Sequence, residues 1–264
     1  RDKDTSRGLG DVYKRQLKSA KKSGASVLSI NPLKETGMRR FRHPQSPIDM
    51  LGAGTQISDD HVNIKINGDM ALFRAIGSII LDKGYHDPDF INLNTTGFLD
   101  YSKIAQKIDW DLIEHLTGQN RGRINEISDY FCRSRRTIVC WAMGITQHKN
   151  SVNTIREIMN VLLLKGDIGR EGSGPCPVRG HSNVQGDRTV GITHAPDEFF
   201  IEKLSKEFEI DTPSDHGADS VNAVMKMKKS GGIFLSLGGN FLSAMSDTDY
   251  TAEALEKCSL TVQI

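Results

Sequence analysis

Apolar residues recur along this chain in two ways: as stripes at three- and four-residue spacing, and as short runs rich in β-branched side chains. Leu72, Ile76, Ile79 and Ile80 share one face of a helix that starts at Asn67-Gly68-Asp69 and ends near Gly84. Ile124, Ile127 and Phe131 do the same within residues 123–134. A third stripe, Val152, Ile155, Ile158, Met159, Leu162 and Leu163, predicts a helix over 152–165 that Gly166 stops. Its Met and Leu residues read as core. Residues 17–22 close a basic helix before Gly24, and helical pieces are expected at 88–94, 101–107, 111–116, 196–208, 220–229 and 249–257.

The runs read differently. Residues 25–30 form a short apolar strand, and residues 61–66 alternate with period two, as a half-buried strand does. Residues 137–142 and 231–237 are nearly continuous in apolar side chains, the composition of a strand covered on both faces in a parallel sheet. Residues 260–264 begin another strand. Three of these runs end in a Gly- or Pro-containing turn: Asn31-Pro32, the loop Met143–His148 containing Gly144, and Gly238-Gly239-Asn240. Strand, turn and helix in that order build α/β folds, and they bring backbone N–H groups to a ligand. The expected fold is therefore α/β, with parallel sheets covered by helices. Asn31, Gly144 and Gly238 should lie at the carboxyl ends of parallel strands. Residues 34–55 read as irregular.

One stretch has nothing apolar enough to make a core. Residues 176–188 hold two guanidinium groups (Arg179, Arg188), two carboxamides (Asn183, Gln185), His181, Ser182 and Asp187, with Gly180 and Gly186 between them. They follow a second cluster of glycines, Gly166, Gly169, Gly172 and Gly174. The stretch reads either as a solvated connection or as a surface of donors for a large, polar, partly anionic ligand. Similar choices stand elsewhere. Arg39, Arg40, Arg42 and His43 form a solvated face or contact phosphate, Asn31 is a turn residue or a ligand contact, and His148 is a helix cap or a solvent-facing group.

Composition narrows the picture. The chain has 264 residues, 37% hydrophobic and 25% charged, with a net charge of +1, as a globular protein does. No global field argues for nucleic acid or an acidic membrane. No apolar run approaches the roughly 20 residues of a membrane-spanning helix. Cys132, Cys140, Cys176 and Cys258 show no CxxC and no metal-ligand spacing, and read as reduced thiols of a cytoplasmic protein. No metal ligand is assigned within the chain. Residues 1–16 lack periodicity and are read as a non-native leader.

Trp141-Ala-Met-Gly-Ile-Thr-Gln-His148 and Pro177-Val-Arg-Gly-His-Ser-Asn-Val-Gln-Gly186 resemble two signature stretches of molybdopterin oxidoreductases, in the formate dehydrogenase-like branch of the dimethyl sulfoxide reductase superfamily. Within it, the similarity is to formate dehydrogenase-like alpha subunits of the branch associated with acid resistance. The resemblance covers about Leu17 to Ile264. It implies a cofactor-binding α/β domain over 17–182 and part of a second over 183–264, meeting near residues 180–190. It implies a molybdenum or tungsten bis(molybdopterin guanine dinucleotide) cofactor, and two-electron chemistry on a small substrate such as formate. A metal ligand and any [4Fe–4S] cysteines are expected upstream of these residues. By the same resemblance, Arg179 is the arginine that points at substrate. Gly180, Asn183, Gln185 and Gly186 contact cofactor, as do Gly144, Thr146 and Gln147 beside the pterin, and Gly238, Gly239 and Asn240 beside a nucleotide part. Asn31 stands where the family puts a guanine- or ribose-contacting residue, often acidic. His181 stands where some relatives have Gln, which leaves the substrate open, and the electron acceptor and partner subunit are not assigned. A degenerate cofactor-binding subunit without catalysis, or another nucleotide- or thiamine-diphosphate-binding α/β enzyme, is the alternative.

Overall fold

A computed structural model describes residues 14–42, 52–178, 184–213 and 215–264. The chain divides into two compact units, Arg1–Ser182 and Asn183–Ile264.

In the first unit, residues 14–22 form helix α1, followed by strand β1 (Leu28–Ile30), the helical turn α2 (Thr36–Arg39) and strand β2 (Asp60–Val62). Five helices come next: α3 (Asp69–Asp82), α4 (Pro88–Asn94), α5 (Phe98–Ala105), α6 (Trp110–Thr117) and α7 (Arg121–Arg133). Strand β3 (Ile138–Trp141), the turn α8 (Met143–Thr146), helix α9 (Ser151–Leu164) and strand β4 (Gly174–Pro177) complete it. The starts of α4, α6 and α7 are set locally. Asp87, Asp109 and Asn120 accept the backbone N–H groups of Phe90, Leu112 and Arg123 at 2.9, 3.0 and 2.8 Å, filling donors that the first helical turn leaves open.

The core of this unit surrounds α3. Leu72, Ile76 and Ile80 are fully buried with Ile124 and Ile127 of α7 and Ile158, Val161 and Leu162 of α9. The three expected stripes therefore face one another. β1 and β2 are parallel, with Leu28, Ser29 and Ile30 opposite Asp60, His61 and Val62. β3 and β4 are parallel, with Ile138, Val139, Cys140 and Trp141 opposite Gly174, Pro175, Cys176 and Pro177.

The second unit contains α10 (Val184–Thr189), α11 (Glu198–Phe208), α12 (Ser220–Ser230), β5 (Gly232–Ser236), the turn α13 (Phe241–Ala244), α14 (Thr248–Glu256) and β6 (Cys258–Gln263). β5 and β6 are parallel, and Val224, Thr251 and Ala254 are buried where α12 meets α14. Asp197, Asp219 and Asp247 cap α11, α12 and α14 through the N–H groups of Phe200, Asn222 and Tyr250.

The parallel α/β reading holds, and several local expectations are corrected. Residues 34–55 are not wholly irregular: they include α2, and Phe41 and Thr55 exchange backbone hydrogen bonds at 2.9 Å. The strand expected over 61–66 stops at Val62, because Lys65 N–H turns to donate to Thr117 O. The loop expected at Met143–His148 winds into α8. The glycine cluster and the central stretch are not one loop: they contain β4 and end in α10. β4 reads Gly-Pro-Cys-Pro, and a strand survives there through parity. Gly174 N–H donates to Thr137 O and Val178 N–H to Trp141 O, so the even-numbered N–H groups face β3. Pro175 and Pro177, which have no N–H, fall on the other edge. Finally, β3 and β5 are not covered on both faces in this chain. Ile138 is 56% exposed, and Ile233, Leu235 and Leu237 are 72%, 64% and 78% exposed.

Candidate functional site

Asn31 closes β1. Its N–H donates to Val62 O at 3.0 Å, extending the ladder by one bond. Its side-chain oxygen accepts from Leu33 N–H at 3.1 Å and its amide donates to Glu35 Oε1 at 3.2 Å. This is an Asx turn, and the amide half also anchors the residue just before α2. An aspartate here could accept from Leu33 but could not donate to Glu35.

The carboxyl end of β3 gathers three candidates in one turn. Ile145 and Thr146 N–H groups donate to Ala142 O, and Gln147 N–H donates to Met143 O. Gly144, Thr146 and Gln147 are exposed. A methyl group on Gly144 would meet nothing within 4 Å. The side-chain amide of Gln147 contacts Met143 Sδ at 3.8 Å, a weak acceptor. The turn thus presents a hydroxyl, an amide and open backbone, directly before α9.

The adjoining strand delivers the other motif. Trp141 of β3 lies opposite Pro177 of β4, so the two signature stretches leave the sheet side by side, at the same end of parallel strands. Crevices at the carboxyl ends of such strands are where open α/β sheets bind ligands. Arg179, Gly180 and Asn183, with His181 and Ser182, lie outside the described residues.

In the second unit, Gln185 and Gly186 belong to α10: Gln185 O accepts from Thr189 Oγ1 and Gly186 O from Val190 N–H. Gly238 N–H donates to Ile264 O at 2.8 Å, at the carboxyl end of β5. Its φ of +67° suits glycine. Asn240 Oδ1 accepts from Ser243 N–H at 3.4 Å, at the start of α13. Added methyl groups on Gly186, Gly238 or Gly239 would each meet open space. Asn31 belongs to a different strand pair from the Gly144–Gln147 turn.

Two acids near these elements were not singled out as functional by their sequence context. Burial pushes the Asp69 carboxyl up at the first turn of α3, and the His148 charge offsets part of that. Asp167 is 1% exposed between α9 and β4, and its carboxyl is likewise raised by desolvation. No local pattern marks either, because their burial comes from distant packing. A cleft of about 390 Å³ lies elsewhere, bordered by Arg74, Tyr101, Arg156 and Glu157; no candidate residue lines it.

Neutral donors and acceptors with open backbone suit the amide-like edges of a pterin or a nucleobase, and in this respect the residues present fit such a cofactor. Among the described residues, no three His, Cys, Asp or Glu side chains converge as a metal site would require. No described helix is long and apolar enough to cross a membrane.

The chain is 42% identical over 255 residues to an uncharacterised oxidoreductase of Mycobacterium tuberculosis (strain ATCC 25618 / H37Rv), covering 94% of this chain and 33% of that protein. It is 35% identical over 260 residues to protein YdeP of Escherichia coli (strain K12), covering 94% and 34%. It is 27% identical over 206 residues to formate dehydrogenase H of Escherichia coli (strain K12), covering 75% and 26%. The chain thus spans about a third of the length of the first two of these relatives. The acetylene hydratase from Pelobacter acetylenicus shares the fold, with a TM-score of 0.53 at 18% identity over 94% of this chain and 36% of that one. The molybdopterin oxidoreductase family profile matches residues 9–264. This chain belongs to the molybdopterin oxidoreductase family.

Proposed function

We propose that the full-length protein is a formate dehydrogenase-like oxidoreductase. In this reading it uses molybdenum or tungsten held by two molybdopterin guanine dinucleotides, and transfers two electrons to or from a small substrate. The observation that supports it most is the pairing of β3 with β4. Trp141 and Pro177 stand opposite each other, so the Gly144–Gln147 turn and the stretch carrying Arg179, Gly180, Asn183, Gln185 and Gly186 start from adjacent strand ends.

When bound, the cofactor supplies the redox chemistry at its metal. This chain's part is to hold and orient it. The Thr146 hydroxyl and Gln147 amide would meet the pterin, while Asn31, Gly238, Gly239 and Asn240 would meet nucleotide parts. Arg179 would hold a small anion through the paired N–H groups of its guanidinium. Formate is the first substrate to test, because it is the smallest carboxylate that fits such a fork. The reading extends to a metal ligand and a [4Fe–4S] cluster supplied by the rest of the protein, an external electron acceptor and a cytoplasmic site of action.

The test is chemical analysis of the full-length protein. Molybdenum, tungsten, extractable pterin and released guanosine monophosphate are measured beside turnover of formate with an artificial electron acceptor. Two pterins and two guanine nucleotides per metal are expected. A protein with neither metal nor pterin would overturn the reading. Pterin and metal without turnover of formate or of other small oxidisable and reducible substrates would favour the degenerate, non-catalytic alternative.

A further inference from the structure

Cys140 and Cys176 lie 36 positions apart in sequence, yet they are register partners in the β3–β4 ladder. Partners in a ladder project from the same face, and neighbouring strands lie about 4.7–4.9 Å apart. That spacing falls within the range of about 4.4–6.8 Å between the Cα atoms of disulfide-bonded cysteines. We propose that Cys140 and Cys176 are a peroxide-oxidisable dithiol, whose disulfide staples β3 to β4 where both signature stretches leave the sheet.

Cys140 is open to solvent on one side, so a small oxidant reaches it. The atoms crowded on its other side, the Cys176 sulfur among them, push its thiol up to about 12. Either thiol of the pair can be oxidised first, with the other resolving it. One of the two sulfurs attacks one oxygen of hydrogen peroxide. An S–O bond forms, the O–O bond breaks, and the departing hydroxide takes the thiol proton as water. The other sulfur then attacks the sulfenic sulfur. The S–S bond forms, the S–O bond breaks, and a second water leaves with the proton of the second thiol. Two electrons pass from the thiols to one peroxide. The Cβ atoms of a disulfide lie about 3.5–4.5 Å apart, so oxidation draws the two strands together. β4 can make that adjustment because its far edge, carrying Pro175 and Pro177, offers no N–H for another strand to hold.

The other two cysteines provide internal controls. Cys132 is buried in α7, and Cys258 opens β6 in the second unit, with its thiol directed to Ala254 O. The test uses reduced full-length protein treated with hydrogen peroxide, then alkylated, digested and mapped by mass spectrometry. The expected product is the Cys140 peptide joined to the Cys176 peptide, lighter by two hydrogens and released by dithiothreitol. In Cys140→Ser and in Cys176→Ser the link is lost, and in at least one of the two variants dimedone traps a sulfenic acid on the remaining cysteine of the pair. In wild-type protein, peroxide that leaves both thiols alkylatable, oxidises them without joining them, or joins either one to Cys132 or Cys258 overturns the proposal. The readout is on the thiols alone, so it stands or falls separately from the cofactor reading.

Discussion

Arg74 on α3 donates to a single carboxylate oxygen of Glu157 on α9 through both Nε and Nη2, at 2.9 and 2.7 Å. The carboxylate is nearly buried, and Asn160 donates to its second oxygen at 3.4 Å. This pair clamps the two most extensively packed helices of the first unit.

Removing Arg74 leaves a desolvated carboxylate with one weak partner. Charged hydrogen bonds contribute roughly 1.5–3 kcal/mol, and the half-exposed guanidinium places this pair at the lower end of that range. Arg74→Ala should therefore lower stability by about 1.5–2 kcal/mol, and Arg74→Ala combined with Glu157→Gln by less than Arg74→Ala alone. Urea unfolding of the single and double variants checks this. Equal losses would show that the pair is not coupled.

Gly77 faces the Tyr101 hydroxyl so closely that a methyl group on Gly77 would collide with it. That hydroxyl is buried without a hydrogen-bond partner among the described residues. Burial, with the Glu157 charge nearby, holds its proton on well above the usual tyrosine range. Gly77→Ala should destabilise by about 1–3 kcal/mol through overpacking, outweighing the roughly 0.5–1 kcal/mol that alanine gains over glycine in a helix. Tyr101→Phe should be neutral or mildly stabilising, and should rescue most of the Gly77→Ala loss. Thermal midpoints of the two single variants and the double variant decide it; without rescue, the collision is not with the hydroxyl.

Asp167 gives a pH dependence with a definite sign. Neither of its carboxylate oxygens has a partner at good hydrogen-bond geometry among the described residues. Thr137, Lys165 and Arg170 offset only part of the desolvation, so the folded-state pKa is raised. Above that value the native state holds a costly buried charge. As pH falls through it, the native state takes up a proton before the unfolded chain does, whose carboxyl titrates near 3.9. The group's penalty disappears over that interval. Asp167→Asn should therefore stabilise the protein by about 1–3 kcal/mol at neutral pH, with the advantage shrinking as pH falls toward about 4. Denaturant midpoints of both proteins at neutral and acidic pH test this. A variant less stable at neutral pH would show that the carboxylate is satisfied.

Arg179 is a prediction from the motif and the proposed function. Lysine keeps the charge of arginine but loses the planar fork. If the fork acts mainly in the transition state, Arg179→Lys in the full-length protein should keep metal and pterin and lose about ten- to a hundred-fold in turnover. Metal and pterin content are measured beside the rate. Cofactor lost in step with activity would make Arg179 a phosphate or structural contact, and full activity would remove it from the mechanism.

The amino-acid sequence alone determined the helices that carry their own signals. α4 begins and ends where Pro88 and Asn94 were expected, because the Asp87 cap and the proline act within one turn. α3 was legible from its stripe, since burial at 3.6-residue spacing is written into the side chains themselves. The parallel sense of the strands was legible too, because a buried run, a Gly or Pro turn and a helix form a repeated local unit. Only the tertiary structure decided what depends on partners far along the chain. β4 looked like a loop, and it is a strand because the parity of its two prolines leaves the N–H groups facing β3 intact. β5 looked buried, and one of its faces is open in this chain, since hydropathy records what a side chain favours and not which element covers it. Arg74 meets Glu157, Gly77 meets Tyr101, and Cys140 meets Cys176 only after segments 24 to 83 residues apart have packed. Contacts at that separation leave no period in the sequence, because they are set by the geometry of the assembled layers.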